Sequence, residues 1–355
     1  MDFNLTKEQK MFQQTLRKLL ENKEVEKNSF SRDLWERLAE LGTFGLGVSE
    51  ELGGFGDEYE LIQVTAYELG KYLVHSPFYE TVTISAQVFG KQEGSVWRKK
   101  VEEIISGQKI ISFIDKANNI IAEKEDLKHW RIYGKAEVVS FGQIADGFIC
   151  SASNTLFYVS KDQVTSVDLD FIDNRPVSQI YFENVIVLDQ NRLSEVGQSE
   201  KILEFPRKLG RLFTSSYMTG ASQGALDLAI EYMNTREQFG KTISSFQALS
   251  HWAADLQTMS DAALLFTRQL GWEITNGNDT ETSILCLKYA AQVYKNCATA
   301  VVQMAGGYGF MMEYDMQHYY RNVLGTEQIY EAPQNISVDL RLKDQKEASL
   351  LGVTI

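Results

Sequence analysis

The sequence predicts a mainly α-helical protein with a β domain in the middle of the chain. Apolar residues recur at helical spacing in the first and last parts, whereas short runs rich in β-branched and aromatic residues lie between them. With 355 residues, the chain is long enough for two or three substructures. We therefore expect an N-terminal helical domain over residues 1–108, a middle β-barrel domain over 109–200 and a C-terminal helical bundle over 201–355.

The N-terminal domain is predicted from two amphipathic stretches. Apolar side chains recur at helical spacing in each of them: Phe12, Leu16, Leu19 and Leu20, and then Leu34, Leu38 and Leu41. The acidic, glycine-rich stretch 50–57 follows. Its three acids would repel a phosphate, so we interpret it as a structural turn and not as an anion-binding loop.

The middle domain is predicted to be β because its apolar runs are short and are separated by polar turns. These runs are 110–114, 136–139, 147–150, 155–159 and 179–182, with clusters of Asn, Asp, Gly and Lys between them. Regular short strands of this kind suggest a small barrel or a sandwich.

Helical periodicity returns near Lys201 and continues to the C-terminus. The long segments are 207–234, 246–275 and 280–304. The last of them is rich in Ala and Val and ends at Gly306-Gly307, where glycine frees the backbone to turn.

Glu331 is predicted to lie at a helix junction. A further helix runs to Tyr330, and Pro333 either stops it or starts the next one, since proline fits best in a first helical turn. A carboxylate at such a junction can face a cleft, or it can simply balance a helix N-terminus. Position alone leaves both roles open.

The composition excludes several classes of function. A net charge of −13 argues against binding to nucleic acid or to an anionic membrane, because nothing offsets phosphate repulsion across the whole chain. The three cysteines show no paired or metal-ligand spacing and the four histidines are scattered, so we expect no metal site. No apolar run approaches membrane-spanning length, and Met1 starts an amphipathic helix and not a signal peptide. We expect a cytoplasmic protein without a membrane span.

Three stretches resemble the acyl-CoA dehydrogenase family, in the order in which that family has them. The opening stretch is the loosest match and includes Glu50-Glu51-Leu52-Gly53-Gly54. The other two are Arg236-x-x-Phe239-Gly240 with Phe246-Gln247 and Ala254-Asp255, and Gln303-x-x-Gly306-Gly307-x-Gly309 with Arg321 and Tyr330-Glu331. Because the matches span nearly the whole chain, the resemblance implies the family's fold: an N-terminal helical domain, a middle β-barrel and a C-terminal helical bundle.

The resemblance implies an FAD-dependent dehydrogenation of an acyl-CoA thioester in fatty acid metabolism. Glu331 matches the catalytic base, which removes the α-proton while the β-hydride passes to flavin N5. A carboxylate in a dry pocket has a raised pKa, which makes it a stronger base. Arg211 and Tyr330 match positions that bind substrate, whereas Gly210 stands where one branch of the family places its base. The acyl chain is left open, and a carrier-protein thioester suits the pattern as well as a CoA ester.

The resemblance also implies that each FAD lies at a subunit interface. The positions that reach across to a neighbour's flavin diphosphate and adenosine are Arg236, Phe239, Gln247, Gln303, Gly306 and Gly307. Arginine suits this role because its fork clamps phosphate, and glycine because it exposes backbone N–H groups. Ser140 and Asn335 are the candidate flavin contacts within one chain. The implied partners are an electron-transferring flavoprotein and further subunits, in a homo- or hetero-oligomer built as a dimer of dimers.

The sequence departs from the family mainly in the half of the site that one chain builds for itself. A Thr-Glu-Pro…Gly-Ser-Asp loop is missing between Ser112 and Trp130, and 138–140 replace a Trp-x-Thr/Ser strand. Ala332-Pro333 stand where Gly-Thr is usual, and Asn335 replaces a Gln. The half that is donated to a neighbour is better preserved.

Two hypotheses follow. The chain is an FAD-dependent acyl-CoA dehydrogenase with Glu331 as its base, or it is a non-catalytic or half-site subunit that completes the FAD site of a related partner. A flavin monooxygenase of the same fold is a more distant alternative, because Tyr330-Glu331 argues against it.

Overall fold

The structure is a computed structural model, and it describes residues 4–21, 29–115, 119–277, 282–311 and 313–329. Helices occupy both ends of the described chain and strands occupy its middle, so the predicted fold class is confirmed. Within the described ranges, no helix combines the length and the hydrophobicity needed to cross a bilayer.

The N-terminal part contains the helices α1 (Lys7–Leu20), α2 (Arg32–Glu40), α3 (Tyr59–Lys71), α4 (Gln87–Gly90) and α5 (Ser95–Ile105). Residues Tyr79–Ala86, directly before α4, form a π-helix in which every residue is buried. π-Helical segments are rare in proteins, and those that occur are often found at functional sites.

The glycine-rich stretch after α2 has a packing role. A Cβ atom at Gly54 would lie 2.2 Å from the carbonyl oxygen of Val48, and one at Gly45 would lie 2.9 Å from the ring of Phe55. The backbone can fold this tightly only where no side chain intervenes. These contacts support the interpretation of this stretch as a structural turn.

The middle part contains the strands β1 (Ile111–Ile114), β2 (Ile121–Lys124), β3 (His129–Ser140), β4 (Gly147–Ala152), β5 (Thr155–Ser160), β6 (Thr165–Leu169) and β7 (Val177–Leu188). They form two sheets, with the strand orders β1-β4-β5 and β2-β3-β7-β6. The ring of Trp130 on β3 lies 5.3 Å from that of Phe157 on β5, so the sheets pack face to face. The β domain therefore has the form of a two-layer sandwich.

The C-terminal part begins with the long helix α6 (Ser199–Thr235). It continues with the hairpin β8 (Glu237–Gln238) and β9 (Lys241–Thr242), and with α7 (Gln247–Thr275), α8 (Thr282–Ala305) and α9 (Met316–Ile329). One apolar core joins the N-terminal helices, the β domain and the first half of α6, and a second core joins the rest of α6 to the last helices. Helix α6 therefore connects all three parts.

Candidate functional site

Two segments that are far apart in the sequence meet at the C-terminal end of α6. Arg236 caps this end, and its guanidinium carbon lies 5.2 Å from the ring centroid of Tyr308. Tyr308 belongs to a 3-10 turn over Gly306–Phe310, directly after α8. We call the surface formed here the glycine-turn patch and define it by Arg236, Gln303, Gly306, Gly307 and Tyr308.

The glycine-turn patch is open to solvent in the single chain. Gln303, Gly306 and Gly307 are exposed. Gly306 has a φ of 60°, and a Cβ atom at either glycine would meet nothing within 4 Å. A guanidinium, a carboxamide and two unshielded glycines form a donor set that suits a diphosphate. These residues therefore fit the phosphate part of FAD.

The hairpin that follows Arg236 presents a strained aromatic residue. Phe239 and Gly240 are its two central residues, with φ values of 56° and 78°. Such a turn favours Asn-Gly, and a large side chain in this conformation is unusual. The Phe239 side chain is 92% exposed and touches Phe246 edge-on, at 6.2 Å between ring centroids. Gln247 follows and is also exposed. An exposed, strained aromatic residue points to a contact outside this chain.

Arg211 lies far from the glycine-turn patch although both are on α6. It is half-buried, and its Nη1 lies 3.4 Å from Ser283 Oγ. The helix runs without a break from Arg211 to Thr235, which separates the two positions by about 36 Å at 1.5 Å per residue. The two positions therefore lie near opposite ends of this helix segment.

The face of α6 at Gly210 is closed by aromatic side chains. A Cβ atom at Gly210 would lie 2.4 Å from Cε2 of Tyr79. Phe78 and Phe213 stack beside it, with centroids 5.0 Å apart and planes inclined by 5°. An acidic side chain at this position would require the Tyr79 ring to move.

Ser140 lies at the end of β3 and is buried. Its carbonyl oxygen accepts a hydrogen bond from Ser112 Oγ at 2.6 Å, but its own hydroxyl has no hydrogen-bond partner. Buried hydroxyl groups usually have partners, so an orphaned one suits a missing ligand. Ser140 is 5% exposed and the Glu80 carboxyl lies near it, so a flavin contact at this hydroxyl requires neighbouring side chains to move.

Glu80 is a buried carboxyl group beside Ser140 that the sequence did not single out. It is 2% exposed, and neither of its carboxylate oxygens makes a hydrogen bond with acceptable geometry. Burial raises the pKa of Glu80 to about 7, against opposing effects from its own backbone, Arg175 and the nearby Ser140 hydroxyl. Its only sequence signal is an acid within an otherwise apolar and hydroxyl-bearing run.

A buried polar network joins the three parts of the chain next to Glu80. Arg175 pairs with Asp173 at 3.1 Å, and His75 Nε2 donates to the Asp173 carbonyl oxygen at 2.7 Å. On the C-terminal side, Arg175 Nη2 donates to Thr326 Oγ1 on α9 at 3.4 Å. Burial lowers the pKa of His75 to about 4, so its ring is neutral at pH 7.

A small cavity lies within this network, lined by polar groups and by apolar side chains such as Phe141 and Phe213. Its volume is about 10 Å³, room for about one water molecule. The lining includes His75, Arg175 and Tyr217, and the hydroxyls of Ser76 and Thr214, which have no hydrogen-bond partner. An alkyl group placed here would leave these polar groups unpaired, so the cavity suits water better than an acyl chain.

Three predicted site residues, Tyr330, Glu331 and Asn335, lie outside the described residues. The structure describes the backbone of α9 up to Ile329, which shows where this helix is directed. Tyr319 packs at Gly224 and Asn322 contacts Tyr217, so α9 runs antiparallel to α6. Its C-terminal end is therefore directed toward the Arg211 end of α6.

Two domain models of one family match the chain. The acyl-CoA dehydrogenase N-terminal domain matches residues 6–92, and the acyl-CoA dehydrogenase C-terminal domain matches residues 207–340. Together they cover more than half of the sequence.

Similar proteins with assigned activities include benzylmalonyl-CoA dehydrogenase of Aromatoleum aromaticum, 26% identical over 92% of this chain and 95% of that protein. A second is the subunit CarC of the caffeyl-CoA reductase-Etf complex of Acetobacterium woodii, 24% identical over 84% of this chain and 85% of that protein. Among solved structures, a glutaryl-CoA dehydrogenase bound to glutaryl-CoA has a TM-score of 0.86 and 22% identity, covering 100% of this chain and 98% of its own. These structural likenesses establish the fold.

Proposed function

This chain belongs to the acyl-CoA dehydrogenase family, and from that premise we propose that it catalyses the FAD-dependent α,β-dehydrogenation of an acyl thioester. Glu331 takes the α-proton, and the β-hydrogen leaves with its electron pair as a hydride. Two C–H bonds break and one C=C bond forms. FAD, when bound, supplies the acceptor for the hydride.

The observation that carries this proposal is the convergence at the glycine-turn patch. Arg236 and the turn with Gly306 and Gly307 meet on an open surface, with donors that suit a diphosphate. Arg211, at the substrate end, is about 36 Å away along α6. This separation supports an arrangement in which the patch serves a neighbour's FAD while Arg211 serves the chain's own substrate.

The remaining site residues follow the same division. Phe239, Gln247 and Gln303 would complete the neighbour's FAD site with the patch. Ser140 and Asn335 would contact the chain's own flavin, and Arg211 and Tyr330 would bind the thioester. The direction of α9 supports Glu331 as the base, because the helix is directed toward the Arg211 end of α6. The contact of Gly210 with the Tyr79 ring is consistent with this role, because the alternative position carries no carboxylate.

Electrons would leave through an electron-transferring flavoprotein. One relative is named as a subunit of a caffeyl-CoA reductase-Etf complex, and one similar solved structure comes from work on an electron transferring flavoprotein of Acidaminococcus fermentans. We expect an acyl-CoA or an acyl-carrier thioester as the substrate and a dimer of dimers as the assembly.

The experiment that tests this function combines the visible spectrum of the purified protein with substitution of the base. Glu331→Gln should abolish turnover of acyl-CoA substrates, because the amide cannot accept the α-proton, yet leave the flavin spectrum unchanged. Glu313→Gln, which changes an exposed carboxylate, is the control and should retain wild-type turnover. Undiminished turnover in Glu331→Gln would remove this residue from the mechanism.

A second function is favoured by the contrast between the two halves of the site. The donated half is open, whereas Gly210 is covered by Tyr79 and Ser140 is buried. A chain of this kind could act as a subunit that completes the FAD site of a different, related partner. Purification with a coexpressed genomic neighbour at one flavin per two chains would support this function. A homotetramer with one flavin per chain would contradict it.

A further inference from the structure

The loop between β6 and β7 carries a buried ion pair that the proposed reaction does not use. Asp173 is 0% exposed and Arg175 is 3% exposed, and Arg175 Nη2 lies 3.1 Å from Asp173 Oδ2. The backbone N–H of Arg175 donates to Asp173 Oδ1 at 3.2 Å, which fixes the loop on itself. Burying two ions costs free energy unless further contacts surround them, so this pair calls for partners outside the loop.

Both residues of the pair meet α9 at consecutive positions. A Cβ atom at Gly325 would lie 2.5 Å from Asp173 Oδ2, so the carboxylate lies directly against the helix, where no side chain intervenes. The next residue, Thr326, accepts a hydrogen bond at its Oγ1 from Arg175 Nη2 at 3.4 Å. The ion pair therefore fixes the turn of α9 that contains Gly325 and Thr326.

The other side of the loop is fixed to the N-terminal part of the chain. His75, which follows α3, donates from Nε2 to the Asp173 carbonyl oxygen at 2.7 Å. One turn earlier on α9, Asn322 is held between two further helices, because its Nδ2 donates to Tyr217 on α6 and its Oδ1 accepts from Tyr294 on α8. Helix α9 is thus held at two successive turns, and the ion pair supplies the contact nearer its C-terminal end.

We propose that Asp173 and Arg175 are positioning residues for the base of the proposed reaction, because they fix the helix that leads to it. Glu331 follows Thr326 by five residues in the sequence. A displacement of about 1 Å at a reacting group can lower a rate about 100-fold, so the direction in which α9 leaves the ion pair matters for proton removal. This inference rests on the proposed function, since it requires Glu331 as the base.

The test removes each α9 contact and measures turnover per bound flavin, so that unfolded protein does not count. Thr326→Val deletes the hydroxyl at nearly constant shape, and Gly325→Ala places a methyl group against the Asp173 carboxylate. Both changes should lower kcat about 10- to 100-fold with a smaller change in KM, because the base loses alignment while the substrate still binds. Thr326→Ser, which keeps the hydroxyl, should retain most of the activity. Thr15→Val, the same change at an exposed position on α1, should keep the wild-type kcat.

A readout without flavin is amide hydrogen exchange in α9, which reports local opening of this helix. Exchange near Gly325 should rise about 2- to 10-fold in Thr326→Val, the change that corresponds to the loss of one hydrogen bond. Thr326→Ser and Thr15→Val should exchange at the wild-type rate. Exchange that is the same in all four proteins would overturn the inference, since the ion pair would then not fix the helix.

The outcomes separate this inference from the proposed function. If the wild-type protein turns over no acyl thioester, the proposed function fails and the positioning role fails with it. If the wild-type protein is active and Thr326→Val and Gly325→Ala keep its kcat per bound flavin, the positioning role alone is overturned. Should Gly325→Ala not fold, Thr326→Val and its two control variants still decide the question.

Discussion

Phe239 is in a conformation that its side chain disfavours, and it has little burial to compensate. Its φ of 56° and its exposure of 92% occur together at the tip of a hairpin. Left-handed backbone costs a non-glycine residue about 1–2 kcal/mol. Apart from its edge contact with Phe246, this residue gains little within the chain, so we expect it to act in a contact between chains.

Phe239→Asn should separate the folding of the chain from its association. Asparagine is a favoured partner for Gly240 in this turn, so the free energy of unfolding should not fall and could rise by about 1 kcal/mol. Flavin content and oligomer content should both decrease, since the aromatic contact to the neighbour is lost. Urea unfolding, flavin absorbance and sedimentation velocity measure these three quantities. Leu127→Asn, at a position 87% exposed, is the control and should change none of them. Full association of Phe239→Asn would contradict a role at the interface.

His75 should make the protein less stable in acid. Its pKa is about 4 in the folded chain against 6.5 for the ordinary value, so the unfolded chain binds more protons between these pH values. The free energy of unfolding is therefore lost as the pH falls from about 6.5 to about 4, by up to about 3 kcal/mol.

His75→Gln retains an N–H donor for the Asp173 carbonyl oxygen but cannot take up a proton. Its stability should therefore fall less steeply over this pH range, as measured by urea unfolding at several pH values. The exposed His251→Gln serves as the control and should follow the wild-type curve. Equal slopes for all three proteins would show that His75 is not the group responsible.

At the scale of elements, the backbones of α3 and α6 approach each other closely where each helix has a glycine. A Cβ atom at Gly70 would lie 1.9 Å from the Tyr217 carbonyl oxygen, and one at Gly220 would lie 1.9 Å from that of Tyr67. These are backbone contacts that no rotamer change can relieve. The crossing therefore depends on a side chain being absent from both helices.

Gly220→Ala should destabilise the protein by at least about 2 kcal/mol, because the two helices must move apart. The matched control is Gly271→Ala on α7, where the nearest atoms would be 3.7 Å from the new methyl group. This control should stabilise the helix by up to about 1 kcal/mol, since alanine is the better helix former. Thermal unfolding distinguishes the two outcomes, and a neutral Gly220→Ala would show that the crossing can adjust.

The sequence predicted the long helices better than the edge strands. The segments 207–234, 246–275 and 280–304 correspond to α6, α7 and α8, because long apolar periodicity is a strong signal. In contrast, β2 and β6 lie at sheet edges and are largely exposed, so they lack the apolar pattern that identifies a strand. Helical periodicity was predicted from near Lys201, close to the start of α6 at Ser199, although the long segment was begun at 207, after Pro206, which is buried within the helix.

The candidate site was predictable only where the resemblance supplied its residues. The meeting of Arg236 with Tyr308 depends on how α6 and α8 pack, which periodicity alone does not show. Glu80 gave no usable signal, because its burial results from contacts with β3 and with the loop before β7. Tertiary packing, and not local preference, creates both features.

At the scale of the whole molecule, α6 separates the two ends for which we propose functional roles. One end carries Arg211 and the other carries Arg236, about 36 Å away along a single helix. If each end contributes residues to an FAD site, then each chain contributes to two FAD sites, one at each end. Such reciprocal use is what a two-fold symmetric pair of chains provides.

This reciprocity predicts that two inactive variants can restore one another. Arg236→Ala damages the flavin site of the neighbour, whereas Glu331→Gln damages the chain's own site. In a mixed pair, the Arg236→Ala chain keeps its own Glu331 and receives an intact Arg236 from its neighbour. One of the two sites is then complete, so activity should return to about half of the wild-type value per pair.

The measurement uses two affinity tags on coexpressed chains, so that only mixed oligomers are purified and assayed. The control is the same purification with Arg236→Ala on both tagged chains, which should stay inactive because every site lacks its donated arginine. Inactive mixed oligomers would show that both residues act on the same flavin within one chain. Failure to recover any mixed oligomer would instead point to a different partner chain, because the glycine-turn patch would then find no flavin site on a second copy.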